Sequence, residues 1–278
     1  MSNSIQSRKP TLAIAMIVKN ESQHLAACLD TVKDWADEIV ILDSGSTDNT
    51  EEIARGYTDK FYVNTDWPGF GKQRQLAQQY VESDYILWLD ADERVSLQLK
   101  TSILAALAQN SPQTCYRINR LSYAFGKFIR HSGWYPDYVL RLHRRQDTAY
   151  NDSLVHESLI LPKGYQVVTL QGDLLHCTFD NLTQYTRKTA QYMKAWTDQR
   201  EGRKTSSLSG ALLHGFFRFC KMYILKRGFL DGRHGLLLAI LSANTTFTRY
   251  ADLWLRDYVK RQTPPETDSF KPDKRQGG

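Results

Sequence analysis

Between residues 12 and 92 the chain alternates short apolar runs with helix-length stretches, and this alternation restricts its possible folds more than any other feature. Residues 12–18, LAIAMIV, are apolar without a break, which suits a strand covered on both faces rather than one with a wet side. Leu25, Cys28, Leu29, Val32 and Trp35 then recur at the three- and four-residue spacing of a helix, before Ile39–Leu42 reads as strand again. The small residues of Asp43-Ser44-Gly45-Ser46 permit a tight turn, and Asp48 and Glu51 are placed to cap the helix after it. A third strand is predicted at Lys60–Val63, a helix at Gly71–Val81, and a fourth strand at Tyr85–Leu89 that ends on Asp90-Ala91-Asp92. The resulting βαβαβαβ order implies parallel strands with right-handed crossovers, and such sheets bind ligands beyond the carboxyl ends of their strands. Asp43, Asp90 and Asp92 all fall at such ends.

From about residue 115 the pattern changes to short β-like runs, Cys115–Leu121, Val139–His143, Leu154–Leu161 and Gln166–Leu170, with glycine and proline turns between them. Mixed or antiparallel pairing is expected there. After Asp180 the sequence turns helical: Asn181 to about Asp198, a polar connector at Glu201–Gly210, then Leu212–Lys226 and Gly235–Arg261. This divides the chain into an α/β domain at 1–180, a helical region at 181–262, and a charged, proline-containing tail at 263–278 whose composition predicts disorder.

Charge follows the same division. Residues 1–180 carry 18 Lys/Arg against 22 Asp/Glu, a net of −4, whereas residues 181–278 carry 18 against 8, a net of +10. An acidic larger part would repel phosphate backbones, which argues against a nucleic-acid binder. The four cysteines have neither disulfide-framework nor metal-ligand spacing and read as reduced thiols of a cytosolic protein. The apolar run at Leu12–Val18 is too short for a secretory signal, and Leu236–Leu241 falls far below the roughly 20 residues of a spanning helix.

Two carboxylates at i and i+2 on a strand end crowd negative charge, and oxygen-rich sites with few protein ligands suit Mg²⁺ or Mn²⁺ shared with substrate phosphates. The plainer alternative for Asp90 and Asp92 is a solvated acidic turn. Asp43 suits hydrogen bonding to a nucleoside, or closing its own turn. Lys72 and Arg74 open a helix whose N-terminus favours anions, and so suit nucleotide contact, or else form a solvated helix face.

Three segments carry a resemblance: Met16-Ile17-Val18-Lys19-Asn20-Glu21, Ile41-Leu42-Asp43-Ser44-Gly45-Ser46-Thr47-Asp48 and Leu89-Asp90-Ala91-Asp92. They resemble the catalytic half of the family-2 inverting glycosyltransferases, whose nucleotide-sugar-binding domain is the Rossmann-like GT-A fold with a mixed sheet. That family usually shows two adjacent acids before Gly-Ser-Thr-Asp. Here Ser44 replaces the second, so base recognition rests on Asp43. The resemblance implies that a UDP-sugar lies across Glu21, Asp43 and Asp90, with a divalent cation on Asp92. It also implies a late acid as catalytic base, for which Glu157 in Leu154-Val155-His156-Glu157 is the first candidate and Asp137 the rival; a paired surface strand is the plainer reading of His156-Glu157. His176 matches a position that sometimes adds a metal or diphosphate ligand, although a lone histidine on an apolar strand is more often structural.

More locally, Gly126–Arg145, Val155–Glu157 and Lys226–Gly235 resemble the bacterial lipopolysaccharide inner-core β-1,4-glucosyltransferases, which move glucose from UDP-glucose onto a heptose. The implied partners are a UDP-sugar and a phosphorylated, lipid-held acceptor, met at the cytoplasmic face of the inner membrane. The basic third of the chain fits this expectation. Leu212–Lys226 is apolar apart from His214, Arg218 and Lys221 on one face, a pattern that suits an anionic membrane interface or packing beneath the catalytic domain. Two other classes compete. A sugar-phosphate nucleotidyltransferase would carry a glycine-rich basic loop where this chain has Lys19-Asn20-Glu21, and a non-enzymatic membrane-surface protein would tolerate loss of Asp92 and Glu157.

Overall fold

The computed structural model describes residues 8–153 and 157–262. The tail expected to be disordered and the segment Leu154-Val155-His156 lie outside them. The chain divides into two compact units, one ending with Trp134–Asp180 and taking in the described residues up to Arg130, the other combining His131–Gly133 with the described residues from Asn181 onward.

The first unit is built on one mixed sheet. Strands β1 (Leu12–Val18), β2 (Glu38–Asp43), β3 (Phe61–Val63) and β4 (Tyr85–Trp88) pair in parallel in the order β3-β2-β1-β4. The sheet continues through β8 (Asp137–Arg144), β6 (Thr114–Ala124), β9 (Gln166–Phe179) and β5 (Glu93–Val95), with β7 (Lys127–Phe128) beside β6. Antiparallel β4–β8, β6–β8 and β5–β9 pairings combine with a parallel β6–β9 pairing, which gives the mixed second half.

Burial on both sides of β1 follows from the two-residue period of a strand. Leu12, Ile14, Met16 and Val18 join one core with Ile41 and Leu87, covered by α1 (Leu25–Leu29) and α4 (Leu97–Gln109). Ala13 and Ala15 face the other way, into a core shared with Trp88 and with Ala77 of α3 (Phe70–Gln79). Each fully buried Leu or Ile stabilises this arrangement by about 1.5–3 kcal/mol, as an upper estimate.

Three local expectations are corrected. The periodic run from Leu25 to Trp35 is regular helix only to Leu29; the rest is successive turns, in which Thr31 caps the Cys28 carbonyl and the Trp35 indole donates to the Thr31 carbonyl. Leu25, Cys28, Leu29 and Val32 are fully buried and Trp35 partly so, so burial followed the pattern although helical geometry did not. Helix α2 (Thr50–Arg55) has Asn49 at its cap; Asp48 accepts from the Thr50 amide, while Glu51 pairs instead with Arg55. The strand expected at Leu154–Leu161 is, among its described residues, an isolated bridge between Leu159 and Tyr150.

The second unit contains α5 (Leu182–Asp198), α6 (Leu208–Cys220), a π-helical turn (Lys221–Leu225), a 3₁₀ turn (Gly228–Asp231) and α7 (Arg233–Arg261). Helix α6 meets α7 through small residues: a Cβ on Gly215 would lie 3.2 Å from the Ala243 carbonyl oxygen and from Phe247. Helix α5 is tied to α7 by charge, with Arg256 2.7 Å from both Asp198 and Glu201. The buried Asp231 accepts from the His131 and Ser132 amide and hydroxyl groups, which explains why His131–Gly133 travels with the helical unit.

Candidate active site

The loops after β1 and β2 form one piece of structure. The Asn20 amide donates to Ser46 Oγ, the Thr47 amide to Asn20 Oδ1, the Glu21 amide to Thr50 Oγ1 and the Ser22 amide to Asp48. Asn20 adopts a φ of 55°, a left-handed conformation that asparagine tolerates better than most residues. Burial pushes the Asp48 carboxyl up, but hydrogen bonds from Thr50 and Ser22 outweigh it and hold the group down at about 2. Asp43 closes its own turn: Oδ1 accepts the amides of Gly45 and Ser46 at 2.7 Å each, and Oδ2 accepts the Ser46 hydroxyl. Its carboxylate is therefore the architect of the loop, with lone pairs left over for a further donor.

Asp90 and Asp92 have separate fates. Both Asp90 oxygens accept from guanidiniums, Oδ1 from Arg74 at 2.7 Å and Oδ2 from Arg141. Burial pushes the Asp90 carboxyl up, but Arg141 and Arg74 overcome it and hold the group far below the usual carboxylate range. Two fixed cations therefore already neutralise the Asp90 charge. Asp92 instead faces His176 on β9, with Oδ2 3.3 Å from Nε2. His176 is aligned with Glu93 across the β5–β9 pairing, a placement that required β9 to run well beyond Leu170.

Arg74 also contradicts the reading of a solvated helix face. It is buried, lies over the rings of Trp88 and Tyr150 at 5.2 and 5.0 Å, and donates from Nε to Glu157 at 3.1 Å. Lys72, two residues away, is exposed. The chain at Asn151 and Ser153 approaches α3 closely: the Gly71 amide donates to the Ser153 carbonyl, and a Cβ at Gly71 would stand 1.9 Å from the Asn151 carbonyl oxygen. Only glycine leaves space for that approach.

The rival acids belong to one ladder. From Glu157 it passes through Arg74, Asp90 and Arg141 to Glu93, 2.9 Å from Arg141, and then through Arg120 to Asp137 at 2.6 Å. Glu93 is fully buried, and desolvation pushes its carboxyl up against the pull of Arg141. Arg141, Glu93 and Arg120 were missed in the sequence. Arg141 had left a signal, because a charge inside the apolar strand run of Val139–His143 must find a buried partner or face solvent.

For a divalent cation the donor set fits in an open form. Asp92 and His176 offer one carboxylate and one imidazole, and among the described residues no three acidic, histidine or cysteine side chains gather into a closed cage. Two protein ligands leave positions for phosphate and water, as Mg²⁺ sites usually do. Glu21 and Asp43 stand at the carboxyl ends of β1 and β2, whereas the cleft lined by Arg8, Asp84, Asn110 and Arg144 sits at the amino end of β4, remote from the acids along that strand.

Comparison with known proteins accords with this geometry. Residues 13–163 match the model of glycosyl transferase family 2. The chain is 28% identical over 261 residues to the lipopolysaccharide core biosynthesis glycosyltransferase LpsC of Rhizobium meliloti, covering 87% of this chain and 94% of that one. It is 25% identical to an uncharacterized glycosyltransferase of Rickettsia typhi, over 86% of this chain and 85% of the other. Among solved structures, Staphylococcus aureus TarS aligns with a TM-score of 0.46 at 15% identity, covering 88% of this chain and 54% of that one. Glucosyl-3-phosphoglycerate synthase of Mycobacterium tuberculosis, solved with Mn²⁺ and UDP-glucose, aligns with a TM-score of 0.35 at 18% identity, over 41% and 44% of the two chains. With the parallel β3-β2-β1-β4 core, its acidic strand ends and a family match over more than half its length, the chain belongs to glycosyl transferase family 2 and is a glycosyltransferase of GT-A fold.

Proposed function

We propose that this glycosyltransferase moves a hexose, glucose from UDP-glucose, with inversion onto a heptose of the lipopolysaccharide inner core, working peripherally at the cytoplasmic face of the inner membrane. The observation that carries the reading is the sharing of Arg74: one buried guanidinium holds both Glu157 and the Asp90 of the strand-end acidic motif. A base and a donor site must lie this near to each other if an acceptor hydroxyl is to be deprotonated as it attacks the anomeric carbon. The similarity to LpsC supports the acceptor class.

In this reading Glu157 takes the acceptor proton, and Arg74 fixes the carboxylate on the side of the reacting carbon. Asp43 and Glu21 bind the nucleoside, Lys72 meets the diphosphate, and Asp90 holds Arg74 and Arg141 behind the donor. Asp92 and His176 would hold the cation, whose chemistry is to neutralise the charge that grows on the leaving diphosphate. Arg74, Arg141 and Glu93 are buried and ion-paired, which keeps these groups rigid, so little reorganisation accompanies reaction.

The test is UDP release from a panel of UDP-sugars with Mg²⁺ or Mn²⁺, with and without core oligosaccharide. UDP-glucose with a heptose-terminated core is expected to turn over fastest. Glu157→Gln should cost about 10²–10⁴-fold in kcat with donor binding retained, while Asp137→Asn keeps most activity; the reverse ranking transfers the base to Asp137. Asp92→Asn should weaken metal dependence with the melting temperature unchanged. Absence of turnover with every nucleotide sugar rules the reading out.

A further inference from the structure

Helix α6 is built the opposite way round from an ordinary surface helix. Its buried positions are small, Ala211 and Gly215, and its largest apolar side chains point away from α7. Leu212, Leu213, Phe216 and Phe217 are 56–63% exposed, in two i, i+4 rows that form one stripe. The stripe is continued by Ile224 and Leu225 of the π-helical turn and by Phe229 and Leu230 of the 3₁₀ turn, all of them exposed. Soluble proteins rarely leave such a run of bulky apolar residues in water without a partner.

The basic stripe takes a different role from the one its spacing suggested. His214 stacks on Tyr250 with ring centroids 4.0 Å apart, and Arg218 donates to Ser242 Oγ at 2.7 Å, so both lie toward α7. Lys221, Lys226, Arg227 and Arg233 are exposed around the apolar turns instead. From Gly202 to Ala251 the chain has eight Lys/Arg and a single acid, Asp231, which is buried. No helix among the described residues is long and apolar enough to cross a membrane.

We infer that the outward face of α6 with its two following turns is a docking face for an anionic lipid bilayer, lying in the interface with Phe216, Phe217 and Leu225 in the acyl boundary and Lys221 and Arg233 among the phosphates. Charge decides between occupants. A bilayer of anionic lipids complements a stretch that carries eight cations and one buried acid, whereas a symmetric second copy would set those cations against one another. Small residues at the α6–α7 contact allow close helix approach, which frees the large ones for lipid. The inference takes the lipid-held acceptor from the proposed function and specifies the surface that reaches it.

Flotation of the full chain with vesicles of phosphatidylethanolamine and phosphatidylglycerol tests it, with phosphatidylcholine vesicles as control. Binding to the anionic vesicles alone is expected, weakening as salt rises. Phe216→Ser with Phe217→Ser should weaken it by roughly tenfold or more, and Lys221→Glu with Arg233→Glu by a similar factor. Circular dichroism melting should show both variants folded, and UDP release from a soluble acceptor should be unchanged. No vesicle binding, or equal binding by both double variants and the parent, overturns the docking face. So does self-association abolished by Phe216→Ser with Phe217→Ser when vesicles are ignored. Turnover without vesicle binding removes the docking face and leaves the function; vesicle binding without turnover of any sugar does the reverse.

Discussion

The two units use the same residue types under opposite rules. In the sheet unit, Ile14, Met16, Ile41 and Leu87 are fully buried, and the buried Arg141 is paired with Asp90 and Glu93. In the helical unit, Phe216, Phe217 and Leu225 are exposed while alanine and glycine fill the helix contact. The sheet unit has to hold carboxylates and guanidiniums at fixed positions, which calls for a tightly packed frame. The helical unit's outward face has no such frame to build, and its composition answers to what lies outside the protein. An exposed phenylalanine therefore means something different in the two units.

Removal of Arg141 tests the first half of this contrast most severely. Arg141→Ala leaves the fully buried Glu93 without its nearest cation and the partly exposed Asp90 with Arg74 alone, and should cost about 3–5 kcal/mol in urea unfolding; a loss under about 1 kcal/mol would mean that the ladder is not a structural element. Next comes Ile14→Ala, expected to cost about 2–5 kcal/mol through its cavity.

His143 probes burial without charge. It is fully buried, accepts from the Trp88 indole at 3.1 Å, and burial pushes its pKa down to about 4. The unfolded chain gains a proton near pH 6.5 that the folded chain refuses until about 4, so this stabilisation is complete above 6.5 and is lost as pH falls through that window. Up to about 3 kcal/mol should disappear between those values, and His143→Gln should flatten the slope when stability is measured across pH.

Smaller effects belong to the helical unit. Gly215→Val drives a side chain toward the Ala243 carbonyl and Phe247 and should cost about 1–3 kcal/mol in thermal melting. Phe217→Ala, one turn face away, should change stability by no more than about 0.5 kcal/mol. If Phe217→Ala proved as costly as Ile14→Ala, the two units would obey one rule and the contrast would fail.

Much of the donor half was legible in the sequence because its signals are local. A strand buried on both faces is written in seven consecutive residues, and the acids at strand ends follow from where each run stops. The irregular turns after Leu29 were not legible, since the same burial period serves a helix and a chain of turns. The split between Asp90 and Asp92 was hidden too, although the two residues are nearly adjacent.

The sequence by itself determined the alternating α/β order, the glycosyltransferase motifs and the concentration of positive charge in the last third, because periodicity and composition act over a few residues. Tertiary structure alone decided that Arg74 joins Glu157 across 83 positions, that Asp92 meets His176, and which side of α6 turns outward. Those outcomes depend on the order of strands in the sheet and on where small residues let helices approach. The physical reason is that a buried charge must be neutralised by whichever partner the fold brings near, and sequence distance plays no part in that requirement.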